Sequence, residues 1–257
     1  MLTTITRRSG LVTLAAALTL PQEPAKAADL PALPETFPTQ PADLVRETVT
    51  VAHGNFTRLR ELVDARPSLA KAAWDWGFGD WEDALGAASH VGNREIAEYL
   101  IAKGARPTLY SAAMLGQLDV VKAFVAAQPG CQRIPGPHSI SLLAHAVNGK
   151  VAAEPVRKYL ESLGDAGSPA SVPLTEAELA ALAGSYSFGP TPQDTVEITV
   201  ARGNLMFGRK GKDARGLVHL GGLAFHPAGA SAVRIRFASN GLLSVHDPDL
   251  VLAAKKI

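Results

Sequence analysis

Gly92-Asn93-Arg94-Glu95-Ile96-Ala97-Glu98-Tyr99-Leu100-Ile101 opens on a residue free to reverse the chain, continues with a polar start, and then sets Ile96, Ala97, Leu100 and Ile101 at helical spacing. The same order returns in Gly54-Asn55-Phe56-Thr57-Arg58-Leu59-Arg60-Glu61-Leu62-Val63 and in Gly116-Gln117-Leu118-Asp119-Val120-Val121-Lys122-Ala123-Phe124-Val125. A degenerate fourth copy begins at Gly149 and recovers at Val156, Tyr159, Leu160 and Leu163. Before three of these glycines lies a stretch of small residues, over 83–91, 108–115 and 142–147, so each unit reads as helix, glycine turn, helix. The alanines let paired helices approach closely, and the Leu/Ile/Val face of one unit covers the next.

The rest of the composition bounds this reading. The chain has 257 residues, 47% apolar and 19% charged, enough for one or two domains with a real core. Its 25 Lys and Arg against 24 Asp and Glu exclude a nucleic-acid binder that works by neutralising phosphates. One cysteine, Cys131, excludes an internal disulfide framework and a cysteine zinc cage, and its neighbours favour an inert thiol over a reactive one. Residues 1–27 carry Arg7-Arg8, a short apolar run from Leu11 to Leu20 and the small triplet Ala25-Lys26-Ala27, the layout of a cleaved targeting segment. The run is too short to span a membrane. Thr6-Arg7-Arg8-Ser9-Gly10-Leu11 resembles the twin-arginine export motif, with the general secretory route as the rival. A proline-rich spacer or tail fills 28–41.

The repeating units over 42–166 resemble the ankyrin repeat. The second copy follows that family's pattern best, through Leu85, Ala87-Ala88, Gly92, Ile96-Ala97, Leu100-Ile101 and Gly104-Ala105, whereas the Thr-Pro-Leu-His tetrad is degenerate throughout. The glycine spacings are 38, 24 and 33, against about 33 in the family. The resemblance thus implies a solenoid of about four degenerate repeats, with an enlarged finger around Trp74 and a finger nearly absent between Ala105 and Thr108.

The period changes after a small, Pro- and Gly-rich linker at 167–173. Thr175 with Glu178 forms a capping box for a short helix ending near Gly184. Seven short strand-like runs follow, starting at Tyr186, Val196, Leu205, Leu217, Leu223, Ala232 and Leu242, with turn signals such as Gly203-Asn204 and Asn240-Gly241 between them. Val233, Ile235 and Phe237 alternate with Arg234 and Arg236, which predicts an antiparallel β-barrel or a compact sandwich over 174–257. The fold class is therefore α+β, with two domains. Leu182-Ala183-Gly184-Ser185-Tyr186 and the hairpins after it look like the lipocalin-like β-domain appended to some exported β-lactamase-like proteins. That resemblance implies an appendage with no catalytic residue.

Chemistry is sparse in the sequence. The seven histidines include no His-x-x-x-His pair, and there is no His-Glu-x-x-His or Gly-x-Ser-x-Gly. Ser68-Leu69-Ala70-Lys71 matches Ser-x-x-Lys without the other elements of that hydrolase class, and reads as chance. His138 and His145 stand seven apart, but Gly136-Pro137 puts His138 in a loop and both read as structural. No catalytic, cofactor-binding or metal-ligating residue is expected. All three tryptophans fall within Trp74-Asp75-Trp76-Gly77-Phe78-Gly79-Asp80-Trp81, which is either a recognition patch or a cap on the first repeat. The expected function is that of an exported, non-enzymatic scaffold whose protein partner meets Trp74, Trp76, Phe78, Trp81, His90 and Met114. The alternatives are a small-ligand carrier, with a barrel cavity lined by Leu205, Phe207, Leu223 and Phe225, and an accessory or relic of an exported hydrolase.

Overall fold

The computed structural model describes residues 35–168, 171–248 and 250–257. The targeting segment at 1–27 and most of the spacer lie outside the described residues. Residues 35–39 form a turn, and Gln40–Ile257 is one compact unit that holds all the helices and strands below.

Four helix pairs come first: α1 (Ala42–Val51) with α2 (Phe56–Ala65), α3 (Ala84–His90) with α4 (Arg94–Ala102), α5 (Leu109–Met114) with α6 (Leu118–Ala127), and α7 (Leu142–Asn148) with α8 (Glu154–Leu163). The repeat explains their starts. Asn55 and Asn93, each directly after a repeat glycine, accept a hydrogen bond from the backbone N–H of Arg58 and Ile96 and so cap α2 and α4. Asp83, Thr108 and Ser141 cap the small-residue helices in the same way. The first helices of the pairs pack side by side, and α3 touches α7 as well as α5, so the array curls instead of running straight. Gly92 and Gly116 make that curl possible. At both φ is positive, and a Cβ would stand 2.2 Å from the Asn148 carbonyl oxygen or 2.1 Å from that of Ala152, where no side chain fits.

The long connection between α2 and α3 holds a hairpin of β1 (Ala73–Asp75) and β2 (Trp81–Asp83). A 3₁₀ turn, Pro67–Lys71, precedes it. The connection between α6 and α7 has no α-helix and carries two tight turns, Cys131–Arg133 and Pro137–Ser139.

After α9 (Glu176–Leu182), whose Thr175–Glu178 capping box forms as the sequence predicts, the chain is a closed antiparallel barrel of eight strands. They are β3 (Gly184–Ser187), β4 (Thr195–Ala201), β5 (Asn204–Arg209), β6 (Arg215–Gly221), β7 (Ala224–Pro227), β8 (Arg234–Phe237), β9 (Leu242–Asp247) and β10 (Leu250–Lys256), each beside its sequence neighbour, with β10 closing onto β3. Alternation decides which residues enter: Val196 and Ile198, Leu205 and Phe207, Ile235 and Phe237, Leu243 and Val245 all point inward. The Arg202-Gly203 turn joins β4 to β5 with φ of 52° and 75°, the handedness a two-residue hairpin requires. Of the residues named in the carrier reading, Leu205, Phe207 and Phe225 point into this core, Leu205 and Phe225 also border a cavity of about 230 Å³ beside His219, and Leu223 is exposed. The sequence predicts seven of the eight strands. It misses β10 because only Ala254 of that strand is buried, leaving no alternating apolar signal.

The barrel leans on the hairpin and on the α6–α7 connection. Arg46 pairs with Asp213 at 2.6 Å, Phe78 packs edge to face on Phe207 with ring centres 5.8 Å apart, and Ser139 Oγ accepts a hydrogen bond from Gly229 N–H. Among the described residues no helix is long and apolar enough to cross a membrane.

Candidate metal centre

The inner helices end where the repeat glycines begin, so the curl gathers their C-terminal ends around one point. His53 sits just after α1, and His90 is the last residue of α3. Glu82 comes from β2, and His138 from the Pro137–Ser139 turn, where its φ is 59°. One donor atom from each of these four residues lies within 4.8 Å of all the others. His53 Nε2 and His90 Nε2 are 3.0 Å apart; His90 Nε2 is 2.9 Å from Glu82 Oε1; His138 Nε2 and His53 Nε2 are 3.4 and 3.6 Å from Glu82 Oε2. Ligands at about 2.0–2.2 Å from a tetrahedral zinc ion stand roughly 3.3–3.6 Å from one another, close to these four separations.

The groups behind these donors fix their orientation. His53 Nδ1 lies 3.1 and 3.0 Å from the carbonyl oxygens of Val49 and Thr50, which only accept, so Nδ1 carries the proton and Nε2 turns a lone pair inward when the ring is neutral. His138 Nδ1 lies 2.6 Å from Asp80 Oδ2, and the His138 backbone N–H donates to Asp80 Oδ1. A carboxylate behind a histidine is the usual outer support of a metal-bound imidazole. Trp76 Nε1–H donates to Glu82 Oε2 at 2.8 Å. Glu82 Oε1 is fully buried and has no hydrogen-bond donor, although His90 Nε2 stands 2.9 Å away. A buried carboxylate oxygen without a donor is costly.

Electrostatics point the same way. Burial on its own raises the Glu82 carboxyl, but the close imidazoles of His138 and His90 outweigh it and hold the group at about 2. Burial on its own lowers His138; Asp80 and Glu82 overcome it and lift the imidazole to about 9. Without a metal, the two carboxylates therefore retain a proton on His138, a cation of opposite charge in the same place. His145 lies behind His90 with ring centres 6.5 Å apart, wholly buried and with both ring nitrogens unpartnered. Burial, then the neighbouring His90, pushes it down to about 4. Asp80 in turn reaches the barrel: Arg215, at the start of β6, donates to it through Nη2, and also to the Gly77 and Ala228 carbonyls. Asp80 and Arg215 are only 2% and 9% exposed.

Of the residues singled out in the sequence, His90 joins this cluster directly and Trp76 supports it. Trp74 is half-buried, and Phe78 is drawn against the barrel core. Trp81 stands 63% exposed on β2, while Met114 is completely buried. Met114 holds the same place before Gly116 that His90 holds before Gly92, so the repeat phase carries it inward and denies it to any partner. Cys131 is buried, and Ser68 and Lys71 lie on an exposed turn. Sequence reasoning misses His53, Glu82 and His138 as a set, because motif spacing finds ligands on one helix and these four come from four segments. The available signal is positional: His53 and His90 both stand within two residues before a repeat glycine.

Compared with protein-family models, with curated proteins and with solved structures, the chain matches none.

Proposed function

We propose that the protein binds one divalent transition-metal ion through His53, Glu82, His90 and His138. The observation that carries this reading is the buried Glu82 carboxylate, with Oε1 unpartnered beside His90 Nε2 and Oε2 beside the Nε2 atoms of His53 and His138, whose Nδ1 atoms are occupied elsewhere. Three imidazoles and a carboxylate suit zinc, copper, nickel or iron more than magnesium or calcium, which prefer oxygen cages. An entry path exists: a cavity of about 300 Å³ beside the cluster is lined by His53, Trp76, His138 and Arg215.

The test is a zinc titration of chelator-stripped protein in competition with a chromogenic chelator. One ion per chain is expected, and both Glu82→Gln and the double variant His53→Gln, His138→Gln should lose it while remaining folded by circular dichroism. Equal binding by the folded variants removes the assignment.

A second reading concerns the scaffold. We propose that the helix pairs are degenerate ankyrin-type repeats of an exported protein, and that the hairpin meets a protein partner through Trp81. The exposure of that indole supports this reading; export rests on the sequence of residues 1–27 alone.

A further inference from the structure

We infer that a second binding site, for a small anion carried on an aromatic ring, lies between the β1–β2 hairpin and the barrel wall. A pocket of about 330 Å³ opens there, within the ~300–1,000 Å³ usual for small-molecule sites. Its apolar surface comes from Trp74, Trp76 and Phe78 on the hairpin and from Phe207 on β5. Indole faces of this kind take a planar ring by stacking.

The charged groups around that surface decide the sign of the ligand. Arg46 and Asp213 pair with each other at 2.6 Å, and Asp75, the other carboxylate of the lining, keeps its charge but is outnumbered. The remainder is basic. Lys212 has no ion pair among the described residues. Arg209 lies over the Phe188 ring at 4.9 Å and donates to the Gln193 carbonyl; Asp194 is near it, but the two form no ion pair. Arg215 is nine-tenths buried; both its Nη atoms are engaged, yet its Nε is buried with no acceptor at all. A buried guanidinium N–H without an acceptor is expensive to leave unmade, and a carboxylate or phosphate oxygen matches it better than any neutral group.

The aromatic ring and the anion are thus two requirements of one ligand: the indoles provide the ring's platform, while Arg209 and Lys212 at the mouth, with Arg215 behind them, favour its charged head. Carboxylate and phosphate heads share this chemistry, and separate probes distinguish them. Trp76 borders both this pocket and the metal cluster, but nothing in the pocket's recognition depends on a metal.

The chain supplies its own reporter, because its only three tryptophans lie in this hairpin and two of them line the pocket. Tryptophan emission and titration calorimetry on the full chain, run once with chelator and once with zinc, should be followed against phenyl phosphate, benzoate, benzamide and inorganic phosphate. Phenyl phosphate, benzoate or both should bind one per chain and shift the emission. Benzamide, which lacks the charge, and inorganic phosphate, which lacks the ring, should each bind at least tenfold more weakly. The double variant Arg209→Gln, Lys212→Gln changes surface groups alone and should lose about tenfold in affinity with an unchanged melting curve. Benzamide or inorganic phosphate binding as tightly as the aromatic anions overturns the proposal, as does an unaffected double variant or no binding by either aromatic anion at millimolar concentration. Binding seen only with zinc also overturns it, since the anion would then sit on the metal. Binding with chelator but no uptake of zinc leaves this site standing and removes the metal centre.

Discussion

Replacing Asp80 by asparagine separates the two duties of one buried carboxylate. Asp80 Oδ2 meets both His138 Nδ1 and Arg215 Nη2, while Oδ1 accepts from the His138 backbone N–H, and both Asp80 and Arg215 are almost wholly buried. The substitution keeps the shape and removes the charge. Breaking a buried pair from one side costs about 3–5 kcal/mol, because the other charge stays behind unpaired. For a unit of this size each kcal/mol moves the melting point by roughly 2–4 °C, so a fall of about 6–20 °C is expected in chelator. Losing the support behind a metal-bound histidine lowers affinity about 10- to 100-fold, or ~1.4–2.7 kcal/mol. The amide oxygen that Asp80→Asn introduces can still accept one bond from His138, which puts the expectation near the tenfold end. The partner variant Arg215→Met should show a similar melting loss but hold zinc within about threefold, since the Asp80–His138 bond survives. Calorimetry and chelator competition on the three proteins give both numbers. Wild-type zinc affinity in folded Asp80→Asn means that His138 is not a ligand. Equal affinity losses in both variants mean that metal binding merely follows global stability.

Two further outcomes follow from the same geometry. His138 is raised in the folded state to about 9 from an ordinary 6.5, so its stabilising effect is complete below pH ~6.5 and fades as pH rises through ~9. Metal-free protein should therefore lose up to ~3 kcal/mol of unfolding free energy over that interval, a slope that His138→Gln should flatten in denaturant titrations. Trp81→Ala should change stability by less than about 0.5 kcal/mol because the ring is already in water, whereas Trp76→Ala, at a partly buried ring, should cost ~1–3 kcal/mol through lost packing and the lost donor to Glu82; similar costs for the two would contradict the burial described.

What the sequence discloses and what it hides divide along physical lines. Helix pairs are legible because Gly54, Gly92 and Gly116 recur with polar starts and helical spacing, and the barrel because its inner residues alternate. Both are local periodicities. The arrest of Phe78 against the barrel and the engagement of Arg215 with Asp80 are set by how the array curls, which depends on contacts such as Gly92 on Asn148 that no local window contains. The cluster belongs to that second class: Pro137 and Gly136 place His138 in a loop, but nothing near it in the chain says that the loop descends on Glu82.

The wide spread of the four ligands along the chain has a kinetic consequence. An ion held there ties the end of α1, the hairpin, the end of α3 and the α6–α7 connection into one knot, so none of these segments can swing away while all four bonds persist. Opening of the helical array must then wait for the ion to leave, and the lifetime of the folded protein becomes a property of metal release. Two preparations with indistinguishable spectra and equal activity in any short assay could therefore differ greatly in shelf life and in resistance to proteases, according to how much metal each acquired during expression.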